Sequence, residues 1–223
     1  MLVRTSAVCA RPPAGMLSAL AGGQIFSSEF RYRRGEEVFG EGEEAQYVYQ
    51  ILSGAARTYK LLPDGCRQIN SFHLSGDMFG LENGASHRFT ADAVVETNVS
   101  IMKRVSLLDA MTRYRTGPGS LLSLVTRNLV HAETHMLLLG RKTALEKVAA
   151  FLLEMDERLT HPAVLTLPMS RRDIADYLGV ALETVSRTLS ILKDEGLLQF
   201  YGPTQRRVVL LDREGLARLE AQG

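Results

Sequence analysis

The segment "LPMSRRDIADYLGVALETVSRTLSILKDEGLLQF", residues 167–200, restricts the fold of this chain more than any other. Pro168 interrupts whatever precedes it. Ser170, with Asp173 three residues on, makes a helix N-cap with an acidic third position, and Ile174, Ala175 and Leu178 share one face until Gly179 ends the helix. A second helix restarts about two residues later. Its Leu182, Val185, Leu189 and Leu192 step by 3, 4 and 3, so they point inward and leave Glu183, Ser186, Arg187 and Ser190 on the outer stripe. A short helix, a glycine turn and a second helix with a polar face form the helix-turn-helix arrangement, which lays its second helix in the DNA major groove. Glu183 and Arg187, four apart, either pair as a surface salt bridge or both face a partner, and the spacing alone leaves both open.

After Gly196, "LLQFYGPTQRRVVLLD" holds two apolar runs joined by a Gly-Pro turn, the pattern of a two-stranded wing. Arg206 and Arg207 lie near its tip, and Arg171 and Arg172 open the first helix. Either pair alone reads as a solvated face. Beside a helix-turn-helix, phosphate contact is the better reading, and Thr184 and Ser190 of the second helix join them as phosphate-contact candidates.

Upstream, Leu122, Val125, Leu129, Ala132, Met136 and Leu139 step by 3, 4, 3, 4 and 3. This three-heptad seam could pack on the chain's own β-domain, but it is narrower than an ordinary core-facing stripe, which favours a partner helix along its length. The seam breaks at Gly140 and resumes in shifted register at Leu145, Val148, Leu152, Met155 and Leu159, behind the capping box "TALE" at 143–146. A domain boundary is expected at 140–143.

From about Gln24 to Lys103, short alternating runs are punctuated by Gly42, Gly54, Gly65 and Gly76 at steps of 12, 11 and 11. One strand and one turn per step predict an antiparallel β-sandwich or roll of about eight strands, with "PDG" at 63–65 as its clearest hairpin tip. The glycines are read as turns only. The expected class is therefore α+β: a tail over 1–23, an antiparallel β-roll (double-stranded β-helix) over 24–117, a long dimerisation helix over 118–140, and a winged helix-turn-helix over 141–223.

Composition removes several alternatives. No run of eighteen apolar residues occurs, and the N-terminal stretch is too polar and proline-interrupted for a signal peptide, so a cytoplasmic protein without a membrane span is expected. Cys9 and Cys66 are far apart and form no C-x-x-C pair, which suggests neither zinc site nor disulfide framework. Two thiols are also too few for an iron–sulfur cluster, which four cysteines ordinarily hold. Residues 1–140 carry 14 Lys/Arg against 13 Asp/Glu and residues 141–223 carry 12 against 12, so nucleic-acid binding must come from local placement of charge.

Four stretches, "GEEVFGEGEEAQYVYQILSGAART", "SGDMFGLENG", "MLLLGRKTALEKVAAFLLEM" and "RRDIADYLGVALETVSR", resemble the bacterial transcription regulators of the cyclic-AMP receptor protein and FNR family, most of all the FNR/FixK branch. The resemblance spans roughly residues 25 to 215. It implies a homodimer built from a β-roll, a dimerisation helix and a winged helix. It also implies base reading by Glu183, Ser186 and Arg187 at half-sites of the TTGAT/ATCAA type. The chemistry agrees: a carboxylate accepts from cytosine N4, a guanidinium donates twice to guanine, and a serine can approach an A·T pair. The chain departs from the family at Ala181, where Ser or Thr often opens the recognition helix.

The ligand positions depart too. Leu81 stands where cyclic-nucleotide sites of the family carry an acid, and His87-Arg88 replaces their Arg-Ser pair. Ala132 and Glu133 align with their helix pair, where a buried Glu133 would repel a cyclic phosphate. The oxygen-sensing cysteine cluster is absent. His131 and His135, spaced i, i+4, are read as surface histidines rather than metal ligands, and Cys66 as incidental. The resulting expectation is a cofactor-free homodimeric activator, bound to double-stranded DNA and contacting RNA polymerase, with no metal and no catalytic residues. One alternative makes the β-roll a ligand- or haem-gated sensor. Another makes the chain an enzyme, but no Gly-rich phosphate loop, H-E-x-x-H or G-x-S-x-G occurs.

Overall fold

The computed structural model describes residues 27–82, 84–113, 121–141, 143–159, 162–202 and 205–220. The chain divides into two compact units between Leu129 and Val130.

The first unit is a β-roll of two four-stranded antiparallel sheets. One sheet has the order β1 (Ser28–Tyr32), β8 (Thr97–Lys103), β3 (Tyr47–Ser53), β6 (Met78–Phe79). The other has the order β2 (Glu37–Phe39), β7 (Thr90–Ala93), β4 (Ala55–Leu61), β5 (Arg67–Leu74). The eight strands match the glycine-punctuated repeat. Alternation along each strand turns Tyr32, Phe39, Tyr49, Ile51, Phe79 and Val99 into a common core, almost wholly removed from water. Between β3 and β4 the chain reverses at Gly54, whose φ is +94° and whose position would set a Cβ 2.5 Å from the Glu96 carbonyl oxygen. Any other residue there clashes with backbone. The expected hairpin tip joins β4 to β5: Leu62 N–H donates to Cys66 O at 2.8 Å, and Cys66 N–H donates to Asp64 Oδ1 at 2.9 Å. Helix α1 (Arg104–Arg113) follows β8.

Helix α2 (Leu121–Arg141) carries the heptad seam. The side chains of Leu122 and Val125 lie outside the described residues. Of the rest, Leu129 is 55% and Met136 65% exposed, as are their neighbours Val130 and Leu137, while Leu139 is half-buried. The opposite face of α2 is inward: His135 and Leu138 are buried within the second unit.

That unit continues with α3 (Ala144–Arg158), α4 (Arg171–Leu178), α5 (Leu182–Asp194) and α6 (Arg213–Glu220). The "TALE" box forms as read: Thr143 N–H donates to Glu146 Oε2 at 2.6 Å, and Glu146 N–H donates to Thr143 Oγ1. From α3 come Val148, Phe151, Leu152 and Met155, from α4 Ile174, Tyr177 and Leu178, and from α5 Val185, Leu189 and Leu192, each no more than 3% exposed. This is the core on which α6 and α5 pack. The wing differs from the two-stranded expectation. β10 (Leu198–Tyr201) pairs with β11 (Arg207–Leu210), and β11 also pairs with β9 (Leu165–Thr166), a strand of two residues too short to carry an alternation signal. Across the unit, Arg213 grips Asp156 with two bonds, Nε to Oδ2 at 2.8 Å and Nη2 to Oδ1 at 3.0 Å. The 57-residue separation hid this pair from sequence reading.

Candidate nucleic-acid interface

Helix α4 starts where the sequence placed it. Ser170 N–H donates to Asp173 Oδ2 at 2.9 Å, and Asp173 N–H returns a bond to Ser170 Oγ at 3.2 Å, so two orphan amides of the first turn are satisfied reciprocally. It ends at Gly179 in the left-handed conformation (φ +63°, ψ +41°), which lets the chain turn sharply into α5. Ala181 caps α5 without a side-chain bond, so the departure seen in the sequence is a real gap in capping.

On α5, Val185, Thr188, Leu189 and Leu192 are buried, whereas Glu183 and Arg187 are exposed and Ser186 is half-buried. The i, i+4 salt bridge is not formed. Among the described residues neither the Glu183 nor the Arg187 side chain has an ion pair or a hydrogen bond, so neither is held by the protein itself. The carboxylate and guanidinium thus stand one helical turn apart, exposed to water, on the face opposite the core.

The remaining candidates lie on α4, α5 and the wing. Arg172 is exposed at the start of α4, and Arg171 is half-buried there. Thr184 is half-buried, and Ser190 is exposed but donates its hydroxyl proton to Ser186 O at 3.1 Å. Arg207 on β11 lies over the Tyr201 ring at 4.6 Å, and Arg206 is half-buried beside it, its carbonyl accepting from Leu167 N–H. Gly202 opens the wing turn with φ +81°, while Pro203 of that turn lies outside the described residues.

Two readings of the sequence need correction. His135 is not a surface histidine: it is 9% exposed, its ring lies on Tyr177, and both ring nitrogens lack a hydrogen bond. An i, i+4 spacing beside an exposed seam gave no sign that α2 has a second, inward face. His131 Nε2 sits 3.1 Å from Glu154 Oε1, and Tyr177 OH donates to Glu154 Oε2 at 3.2 Å. Burial works to raise the Glu154 carboxyl, but the His131 and Arg158 bonds outweigh it and hold the group below the usual carboxylate range. Glu133, in turn, is exposed in the single chain rather than buried.

In the β-roll, the buried His87 ring stacks on Phe39 with centroids 3.6 Å apart. Glu82, next to Leu81, accepts from Arg88 Nε at 2.9 Å, and Arg104 Nη1 pins the same loop by donating to the carbonyls of Glu82 and Gly84. Cys66 is exposed on its hairpin, and Cys9 lies outside the described residues. Among the described residues no group of three metal-binding side chains converges, and no helix is long and apolar enough to cross a membrane.

An antiparallel β-roll followed in the chain by a winged helix-turn-helix with a polar recognition face defines a class of DNA-binding transcription regulator. Residues 29–114 match the family model of the cyclic nucleotide-binding domain, and residues 146–219 that of the Crp-like helix-turn-helix domain. The nitrogen fixation regulation protein FixK of Azorhizobium caulinodans is 42% identical, over 94% of this chain and 83% of its own length. The transcriptional activatory protein AadR of Rhodopseudomonas palustris is 43% identical, over 75% of this chain and 72% of its own. The solved structure of FixK2 from Bradyrhizobium japonicum superposes with a TM-score of 0.84 at 53% identity, covering 89% of this chain and all of that one. The chain belongs to the CRP/FNR family of DNA-binding transcription regulators, in its FixK-like branch.

Proposed function

We propose that the protein acts as a homodimeric transcription activator that reads a TTG…CAA-type palindrome through α5, without a bound cofactor. The observation that carries this reading is the state of Glu183 and Arg187: both are exposed on the outer face of α5, and among the described residues both lack a partner. Arg187 supplies a bidentate donor for guanine O6 and N7, and Glu183 an acceptor for cytosine N4, so the two sides of one G·C pair are read by one helical turn. Ser186, between them on the same face, reaches an adjacent A·T pair. Arg171, Arg172, Thr184, Ser190, Arg206 and Arg207 contact phosphates and set the register without reading sequence. Ser190 must first release its bond to Ser186 O.

Two copies are needed because a palindrome mirrors a two-fold axis. The support is the exposed apolar seam on α2, where Leu129 and Met136 lie more than half in water in the single chain. Pairing two such helices removes that surface from water along the heptad stripe. Activation is supported by the relative from Rhodopseudomonas palustris, which is named an activatory protein, and contact with RNA polymerase is the route this reading gives it. Cofactor independence is supported by the internal use of Glu82 and His87, which occupy the β-roll's loop with the protein's own ion pair and ring stack. A DNA-binding protein of this kind works in the cytoplasm.

The test is an anisotropy titration of the intact protein against the palindrome and against a duplex with that G·C changed to A·T in both halves. Base reading predicts a loss of about 1–3 kcal/mol per half-site on the altered duplex. Equal affinity for both contradicts it.

A further inference from the structure

Arg171 opens α4, but its guanidinium belongs equally to the wing. Nη2 donates to Oε1 of Gln205 at 2.5 Å, and the guanidinium carbon lies 5.5 Å from the centre of the Phe200 ring on β10. Gln205 has a φ of +50°, the one non-glycine residue in the left-handed region among those described. A cleft of roughly 200 Å³ remains between the start of α4, α5 and the wing, lined by Met169, Ile174, Leu189 and Val208 with Arg171 and Gln205. Across that gap, a hydrogen bond and a cation–π contact tie the wing to the start of α4.

We propose that Gln205 is a positioning residue for DNA binding: it holds Arg171 so that the wing and the start of α4 grip one phosphate together. The proposal rests on the phosphate-contact reading above. A guanidinium has five N–H donors. Gln205 takes one of the two hydrogens on Nη2, which leaves the other Nη2 hydrogen and the donor beside it on Nε or Nη1, without another hydrogen bond among the described residues, as an edge for two oxygens of one phosphate. A long side chain ordered only on binding weakens the complex by the freedom it loses, whereas one already held by the fold does not. An amide oxygen is suited to this task because it orders the guanidinium without cancelling its charge.

The experiment is a set of anisotropy titrations over a range of salt, using the intact parent, Gln205→Ala, Gln205→Glu, Arg171→Ala and the Gln205→Ala/Arg171→Ala double variant. Both the palindrome and a scrambled duplex are used. Alanine and glutamine have similar backbone preferences, so Gln205→Ala removes the side chain while leaving the wing turn under the same demand. Gln205→Ala is expected to bind every duplex about 3- to 10-fold more weakly per half-site with an unchanged salt slope. Arg171→Ala is expected to lower the slope by about one, and the double variant to bind no more weakly than Arg171→Ala alone. Gln205→Glu, nearly isosteric and guarding against a wing disturbed by truncation, is expected to neutralise Arg171 and lower the slope by about one. Additive losses in the double variant, or parental binding by Gln205→Ala or Gln205→Glu, overturn the proposal. A parent that binds palindrome and scrambled duplex equally sinks base reading instead, since phosphate contacts are still read on both.

Discussion

The imidazole of His135 lies flat on the phenol ring of Tyr177, centroids 4.1 Å apart and planes within 18°, with neither ring nitrogen hydrogen-bonded. The contact joins α2 to α4, the first helix of the helix-turn-helix, and it is stabilised by ring packing while two buried polar atoms go unsatisfied. Such atoms cost about 1–3 kcal/mol relative to an apolar replacement of the same shape. His135→Phe keeps the ring stack and removes the nitrogens, so it is expected to stabilise the protein by that order in chemical denaturation. A destabilised variant contradicts this account of the contact.

The same residue makes stability depend on pH. Burial, opposed by Glu154 and aided by His131 and Lys147, lowers the His135 pKa from 6.5 to about 4. The unfolded chain therefore takes up a proton that the folded chain refuses. Stability is fully present above pH 6.5 and falls as pH drops towards 4, by up to about 3 kcal/mol for this group. His87, also lowered by burial, adds loss in the same direction. Denaturation midpoints between pH 7.5 and 5 are expected to fall for the parent and to fall less for His135→Phe. Parallel curves would assign the slope to other groups.

The bidentate bond from Arg213 to Asp156 fastens α6 onto α3, and Asp156 is 1% exposed. Arg213 itself is 43% exposed, so water reaches one end of the pair and weakens it relative to a fully buried one. Arg213→Ala is expected to cost about 2–3 kcal/mol, from the loss of charge-assisted bonds to a buried carboxylate. A loss under about 0.5 kcal/mol in urea denaturation would show that Asp156 is satisfied without it.

Much of the fold and part of this surface were legible in the sequence because they depend on local rules. The steps of Val185, Leu189 and Leu192, the Ser170–Asp173 cap and the left-handed Gly179 are each decided within four residues of chain, and each took the expected form. What stayed hidden depends on residues brought together from afar. Tyr177 reads as one more polar-tipped residue until His131, Glu154 and His135 close around it from two other helices. Gln205 has no signal at all until the wing folds back onto Arg171, 34 positions earlier. At Glu183 and Arg187 the i, i+4 spacing left pairing open, and the pair does not form. Hydration of two exposed side chains competes evenly with a bridge worth only about 0.3–0.5 kcal/mol.

Dimerisation through α2 is tested by Leu129→Glu. The substitution sets a carboxylate in the middle of the seam, where pairing would bury it without a partner, so the dimer is expected to weaken by several kcal/mol. Sedimentation at micromolar concentration reads this directly: a variant as dimeric as the parent would place the contact elsewhere.

Base reading by one side chain is the central claim, and changing protein and DNA together tests it most directly. Affinities of the parent and of Arg187→Ala are measured against the palindrome and against the duplex carrying A·T in place of its G·C pair. The parent is expected to discriminate by about 1–3 kcal/mol per half-site, and Arg187→Ala, still folded and dimeric, to bind the two duplexes almost equally. An Arg187→Ala protein that binds more weakly overall yet keeps the parent's full preference for G·C would contradict the assignment and move the reading of that base pair to another residue.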